Sequence, residues 1–252
     1  DYSSGTEILT LHSAMELKSR GHEVQVLTAI PASPEIPYAD RFDHYAFDGI
    51  PVTRFKHAHC AMGCQDNVVE QEYNNLLVAG HFVALIEAFR PDVVHFFHST
   101  RISASIVEAC LQRGIPTVLT PTDFWFICPM SQLRLHDGSM CAGPDRVGAN
   151  CVRHLAALKM PGLAASVLNR LPEAAVYGMV QMASLAPFRN LGPARLVSAL
   201  SRRKNFLKDR LNRIDKVLVP TRLMQQTLLR HGLDPAHVGY CAYGIRLPNM
   251  IA

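Results

Sequence analysis

The amino-acid sequence predicts an α/β fold, a doubly wound and mostly parallel sheet with an inserted helical segment. Strand-like and helix-like stretches alternate along most of the 252-residue chain, as expected when helices connect parallel strands. The clearest unit spans residues 90–128, where the apolar runs 93–97 and 117–119 flank a helical pattern that stops at Gly114. Both runs end in polar residues, and ligands bind at the carboxyl ends of parallel strands. This stretch therefore locates the predicted site.

The other elements follow from local signals along the chain. Ser4 and Glu7 have the spacing of a capping box, which predicts that a helix starts there and ends near Gly21. Beyond it we predict, in order, a strand at 23–28, a proline-rich loop at 31–37, a strand at 50–55 and a helix at 71–89. Near the carboxyl end we predict a strand at 216–219, a helix at 222–231 and a strand at 238–243.

Regular alternation breaks in the middle of the chain. Glycine and proline make residues 129–150 loop-like, and prolines interrupt two or three short apolar helices in residues 151–200. We therefore predict one sheet domain and one insertion, with these boundaries: residues 1–128 plus 201–246 for the sheet domain, 129–200 for the inserted loop and helical subdomain, and 247–252 for the start of an interdomain linker.

The two ends of the sequence suggest missing parts. A doubly wound domain begins with a strand before its first helix, but only a few loop residues precede that helix and there is no initiating Met. We therefore expect that a first strand lies outside this sequence and that a second domain follows it.

Composition limits the class of protein. With 48% hydrophobic residues, the chain can bury a proper core. No run of about 18 uncharged apolar residues is present, so no membrane-spanning helix is expected. The polar opening DYSSGTE leads us to expect no signal peptide. Seven cysteines, an odd number, do not suggest a disulfide framework, and a cytoplasmic location is predicted.

Charge is unevenly distributed over the sequence. The net charge is +4, yet residues 150–213 contain eleven Lys and Arg against only Glu173 and Asp209. Apolar helices with such a charge suit an anionic membrane surface, here at its inner face through residues 151–213. A packed insertion with a solvated basic face explains the pattern equally well. Nucleic acid is disfavoured, because aromatic residues do not interleave with the basic ones.

Several stretches together resemble the amino-terminal, acceptor-side half of a family 4 retaining glycosyltransferase. They are SGTEILTLHSAMELKSRGHEVQVLTA (4–29), PDVVHFFHSTRISASIVEAC (91–110), GIPTVLTPTDFWFICP (114–129) and RIDKVLVPTRLMQQTLLRHGL (213–233), followed by YGI. The resemblance implies the GT-B architecture, in which two Rossmann-like domains face each other across a cleft. It also implies that the other half holds most of the nucleotide-sugar, so this chain alone should be a poor catalyst.

The resemblance assigns Gly5 and Thr6 to the glycine-rich loop that approaches the donor phosphates. A glycine allows close approach of the backbone, and a helix N-terminus offers free N–H groups to an anion. An ordinary capped helix remains the alternative.

The same resemblance assigns catalytic roles to His98 and Asp123. The acceptor-binding residues that it implies are His98, Ser99, Arg101, Thr122, Asp123 and Phe124. In many relatives a catalytically important histidine falls at the position of Thr122, and its work would pass here to Asp123 or to backbone groups. The competing interpretations are a strand-end histidine satisfied by backbone, an Asp123 that caps the next turn, and a Phe124 that belongs to the core.

These assignments predict a glycosyltransferase domain that moves a sugar from a nucleotide-sugar to a glycan, lipid-linked or small-molecule acceptor with retention. No cofactor is required for this catalysis. Two alternatives stay open: another GT-B enzyme such as a sugar-nucleotide epimerase, and a non-catalytic binding domain of the same fold.

Two clusters of potential metal ligands stand out. Cys128, Cys141, Cys151 and His154 flank a Gly- and Pro-rich loop, and a structural Cys3His zinc site, free thiols and a disulfide are all open interpretations. The second cluster, favoured as a variable surface loop over a metal site, is His57, His59, Cys60 and Cys64.

Overall fold

The computed structural model describes residues 5–135, 137–159 and 163–244. Its strands are β1 (Val26–Pro31), β2 (Phe42–Phe47), β3 (Ile50–His57), β4 (Val94–Phe96), β5 (Thr117–Leu119), β6 (Lys216–Val219) and β7 (Val238–Tyr240). Its helices are α1 (Gly5–Ser19), α2 (Val68–Gln71), α3 (Leu76–Phe89), α4 (Ser105–Leu111), α5 (Ala149–Lys159), α6 (Leu163–Arg170), α7 (Glu173–Ser184), α8 (Gly192–Asn212) and α9 (Arg222–Arg230). Short 3-10 turns cover Tyr38–Asp40 and Pro235–His237.

The predicted α/β class is confirmed, and the strands form two sheets. The larger sheet has the order β4-β5-β6-β7 and is parallel throughout. The smaller has the order β1-β3-β2, with β1 parallel and β2 antiparallel to β3. No strand of the described ranges joins β1 to β4.

Two elements differ from the prediction for local reasons. Strand β2 was not predicted, although Asp48 and Gly49, both with positive φ (50° and 72°), form the tight turn of a β2–β3 hairpin for which Asp-Gly is a signal. The single helix predicted at 71–89 is broken, because the Asn75 side chain accepts the Val78 amide at 3.1 Å and caps α3. The predicted cap of α1, Ser4, lies outside the described residues.

Helix α8 packs the carboxyl-terminal part of the chain onto the larger sheet. Its Leu207 and Leu211 are buried in one core with Leu119 of β5 and Val217 of β6. Burying each such side chain contributes about 2 kcal/mol. The boundary predicted at residue 200 falls inside this continuous helix, and the division into two subdomains stays a prediction. No helix of the described ranges is long and apolar enough to cross a membrane.

Candidate active site

The carboxyl ends of β4 and β5 bring two side chains into direct contact. The strands are parallel neighbours, with Phe96 in register with Leu119, so the loops that follow them leave the sheet side by side. The Nε2 atom of His98 lies 2.6 Å from Oδ2 of Asp123, and Oγ1 of Thr100 lies 3.0 Å from the same nitrogen. Both members of the His98–Asp123 pair keep about a third of their side chain exposed, 32% and 28%. A ligand can therefore reach them.

The Asp123 carboxylate is held in place by its own loop. Its Oδ1 accepts the Trp125 amide at 2.9 Å, which is an Asx turn. An ionised carboxylate only accepts hydrogen bonds, so Nε2 of His98 is the donor of this pair whenever Asp123 carries its charge. In the tautomer that has its proton on Nε2, the other ring nitrogen, Nδ1, is an acceptor that can bind a hydroxyl.

Helix α1 begins beside this pair. The Thr6 hydroxyl donates to Oγ1 of Thr122 at 2.9 Å, and Thr122 in turn lies 3.4 Å from the Phe97 carbonyl oxygen. Gly5 is exposed, and among the described residues a Cβ placed on it would meet no atom within 4 Å. The Thr6–Thr122 hydrogen bond joins the first turn of α1 to the loop that carries Asp123.

The remaining predicted residues have different surroundings. Ser99 is buried, and its carbonyl oxygen accepts the amides of Ile102 and Ser103, so it shapes the loop. Arg101 has a left-handed φ of 69° and an exposed side chain. Phe124 packs against the main core, as its core interpretation predicts.

Tyr243 was not identified from the sequence as a site residue. Its hydroxyl donates to the Pro121 carbonyl oxygen at 2.6 Å. Burial, with a smaller contribution from the nearby Asp123, raises its pKa to about 12, so the phenol stays protonated. The signal was present, because Tyr243 follows β7 as His98 follows β4 and Asp123 follows β5.

Two residues of the second predicted cluster, His57 and His59, lie around one carboxylate that was not predicted as part of it. Oε1 of Glu72 lies 3.3 Å from Nε2 of His57 and 2.9 Å from Nδ1 of His59. Although burial raises the pKa of Glu72, the two histidines outweigh it and the net shift is downward. Among the residues described, this is the only set of three His, Cys, Asp or Glu ligand atoms that all lie within 4.8 Å of one another. Cys60 and Cys64 are not members of it.

The first predicted cluster surrounds one small cavity. Cys128, Cys141, Cys151 and His154 all line it, so the fold brings together the three segments that carry them. All seven cysteines of the chain are free thiols in the structure, and no disulfide is formed. The zinc interpretation stays a prediction.

Comparison with models of known protein families gives a match to this chain. The family model described as a glycosyl transferase 4-like domain covers residues 4–158, which is more than half of the chain and includes both strand ends that carry the site. No curated protein matches the chain at a significant level.

Proposed function

The chain belongs to the glycosyl transferase 4-like family, and from this premise we propose that it takes part in sugar transfer from a nucleotide-sugar to an acceptor hydroxyl, with retention of configuration. The acceptor would be a glycan, a lipid-linked sugar or a small molecule. The observation that supports this proposal best is the His98–Asp123 pair at 2.6 Å, set beside the N-terminus of α1.

The arrangement offers groups that could bind the sugar donor and groups that could bind the acceptor. The N–H groups and the positive dipole end of α1 suit the diphosphate of a nucleotide-sugar, and no atom of the described residues crowds the position of a Cβ on Gly5. Nδ1 of His98 would accept a hydrogen bond from the attacking hydroxyl, with Asp123 fixing the ring. In retaining transfer the leaving diphosphate and the attacking hydroxyl share one face of the sugar, and stabilising the charge on the leaving group is expected to contribute most to the rate.

A lipid-linked acceptor receives separate support from the α7–α8 junction, residues 182–191. Four apolar side chains there are exposed: Met182 (58%), Leu185 (54%), Phe188 (42%) and Leu191 (60%). They are accompanied by the exposed Arg189. Exposed apolar residues next to a cation suit the interface of an anionic bilayer.

The other leucines of the basic segment contribute less to such a surface. Leu158 is exposed, while Leu168 and Leu171 pack in a second, smaller core and Leu155 lines the cysteine cavity. The side chain of Leu163 lies outside the described part of the chain. The lipid-facing area is thus narrower than the sequence predicted.

The basic residues of the segment are also less available than their number suggests. Arg195 pairs with Asp66, and Arg202 pairs with Glu70 at 3.1 Å. Arg203 is buried. A test of membrane binding that replaces residues 202–204 by glutamate would therefore disturb the fold. At Arg203 the change would put a carboxylate in the place of a buried guanidinium.

The proposed activity is tested by measuring nucleoside diphosphate release from a set of nucleotide-sugars, with and without candidate acceptors, on the full gene product. We expect acceptor-dependent release that His98→Ala slows by about 100-fold or more, while His12→Ala, at an exposed position of α1, leaves it unchanged. Conversion of the sugar without an acceptor would identify an epimerase instead. Donor binding without any turnover would identify a binding domain.

A further inference from the structure

Three segments of the chain meet at the cavity lined by Cys128, Cys141, Cys151 and His154. Cys128 ends the turn that follows β5, Cys141 lies in the long loop, and Cys151 and His154 are on α5. The last two are three residues apart, so they lie on the same face of the helix. Cys128, Cys151 and His154 are buried and Cys141 is half-buried. Three cysteine thiols and one imidazole, most of them buried, thus line the same small cavity.

The backbone around Cys141 forms a turn that holds the sulfur in place. The Gly143 amide donates to Sγ of Cys141 at 3.4 Å. Gly143 has φ +93°, and a Cβ there would clash with Cε1 of His231, so only glycine fits. Asn150 joins this turn to α5, donating to the Gly143 carbonyl oxygen at 2.8 Å and accepting the Cys151 amide at 2.8 Å.

A buried cation lies next to these cysteines. Arg203 of α8 is 4% exposed, and its guanidinium donates to the carbonyl oxygens of Trp125 and Ile127. No carboxylate of the described residues forms a salt bridge with it. Burial lowers the pKa of Arg203 to about 10, and charge on Cys128 and Cys151 acts in the opposite direction. A buried guanidinium without a counter-ion is costly, and neutral thiols do not supply one.

We propose that Cys128, Cys141, Cys151 and His154 bind one structural zinc ion whose net charge Arg203 neutralises. Three thiols would lose their protons and a neutral imidazole would complete the tetrahedron, releasing three protons for each Zn²⁺ bound. The resulting centre carries one net negative charge, matched by the one positive charge of Arg203. Three sulfurs with one nitrogen in a tetrahedral, redox-inert site favour zinc over Mg²⁺, Ca²⁺ or Cu²⁺.

Metal binding would contract the cavity. In the structure no three of these four residues have ligand atoms that all lie within 4.8 Å of one another. Zinc–sulfur bonds of about 2.3 Å would set neighbouring sulfurs about 3.8 Å apart. The contraction would pull on Cys128, whose amide donates to the Phe124 carbonyl oxygen at 2.8 Å. Since Phe124 follows Asp123 directly, the zinc would also fix the loop that carries Asp123, the partner of His98.

Elemental analysis of the protein, purified without chelators, tests the proposal. We expect about one zinc ion per chain, with affinity falling at least about tenfold in Cys141→Ser, which removes the most accessible of the four ligands. Two variants serve as controls that should keep their zinc: Cys241→Ser, at an exposed cysteine elsewhere, and His59→Ala in the other cluster. Loss of zinc in His59→Ala with retention in Cys141→Ser would overturn the proposal.

Cobalt substitution of the wild-type protein gives an answer even if Cys141→Ser does not fold. Tetrahedral Co²⁺ bound by thiolates absorbs strongly in the visible and near ultraviolet, and we expect both bands to appear on titration and to disappear when Zn²⁺ is added. Wild-type protein that contains no zinc and gives only the weak spectrum of hydrated Co²⁺ would refute the site.

Discussion

His98 and Asp123 form a hydrogen bond of 2.6 Å although 25 positions separate them in the chain. Each follows a short parallel strand, and the two strands are neighbours in the sheet. The pair is therefore produced by sheet topology, and the loop bond from the Trp125 amide to Asp123 sets its orientation. A carboxylate that orients an imidazole is expected to act together with it in catalysis. Changing either residue or both should therefore have similar effects on kcat.

We expect Asp123→Asn and His98→Ala each to lower kcat by about 100-fold or more, the range for a positioned proton acceptor. The double variant should cost little more than the worse single variant, because residues that act as a unit are not additive. Steady-state kinetics of the three variants measure this. Asp92→Asn, at an exposed position before β4, is the control and should be neutral. Multiplicative losses in the double variant would show that the two residues act independently.

Thr6 offers a second kinetic test, on the donor side. Thr6→Val removes the hydroxyl that donates to Thr122 and keeps the shape of the side chain, so the start of α1 loses one tether. A single hydrogen bond is worth about 1 kcal/mol, which corresponds to roughly a fivefold rise in KM for the nucleotide-sugar. Thr10→Val is the matched control, since the Thr10 hydroxyl donates to the Thr6 carbonyl oxygen, one turn earlier in the same helix. Equal effects of the two variants would argue against a donor role for Thr6.

The sequence predicted the location of the site better than its internal contacts. Apolar runs followed by polar residues mark strand ends, so His98 and Asp123 could be found by inspection. The Thr6–Thr122 bond and the approach of Tyr243 to Pro121 depend on how distant segments pack, and no local pattern encodes them. Strand β2 was missed because it pairs through only one edge and carries polar residues such as Asp43 and His44.

The number of basic residues in 150–213 overestimates the charge at the surface, because Arg203 is buried. A count of Lys and Arg treats every side chain as exposed, whereas burial depends on the face of the helix on which each residue lies. Arg203 lies four residues from both Ala199 and Leu207, which are fully buried on α8. The spacing of four places all three on one face, and this was the signal in the sequence.

Neighbouring arginines should therefore respond differently to the same change. Arg203→Glu would replace a buried guanidinium with a carboxylate facing carbonyl oxygens, and we expect the free energy of unfolding to fall by more than about 3 kcal/mol. Arg202→Glu breaks only a surface pair with Glu70 and should cost about 1 kcal/mol or less. Urea unfolding of both variants measures the difference. Similar losses would mean that Arg203 is not buried in solution.

We expect Asp215 to make part of the free energy of unfolding depend on pH. Hydrogen bonds from the hydroxyl and amide of Thr117, at 2.7 and 2.8 Å, hold the pKa of its carboxyl below the usual value. The contribution of the carboxylate is therefore complete above the unfolded-state pKa of about 3.9 and is lost as the pH falls through the folded-state pKa. We expect Asp215→Asn to cost about 1 kcal/mol at pH 7, a modest value because the residue is exposed.

Urea unfolding of this variant and the wild type at several pH values checks the sign. The difference between them should shrink as the pH falls below about 3.9, the unfolded-state pKa, and through the lower folded-state pKa, because the wild type then also becomes neutral at this position. A difference that stays constant over that range would assign the effect to geometry instead of charge. Asp92→Asn is the control, and we expect its free energy of unfolding to equal that of the wild type at every pH measured.

The exposed α7–α8 junction predicts membrane binding if the acceptor is anchored in lipid. Wild-type protein should bind vesicles that contain acidic lipid, and added salt should weaken the binding because it screens the attraction of Arg189 and its neighbours. Replacing Leu185, Phe188 and Leu191 by serine should abolish binding without unfolding the protein, since all three side chains are exposed. Leu223→Ser is the matched control, because Leu223 is equally exposed (61%) but lies on α9.

Vesicle flotation measures the binding of the wild type and of both variants. Wild-type protein that does not bind acidic vesicles even at low salt would favour a water-soluble acceptor, and loss of binding in Leu223→Ser would assign the membrane contact to α9.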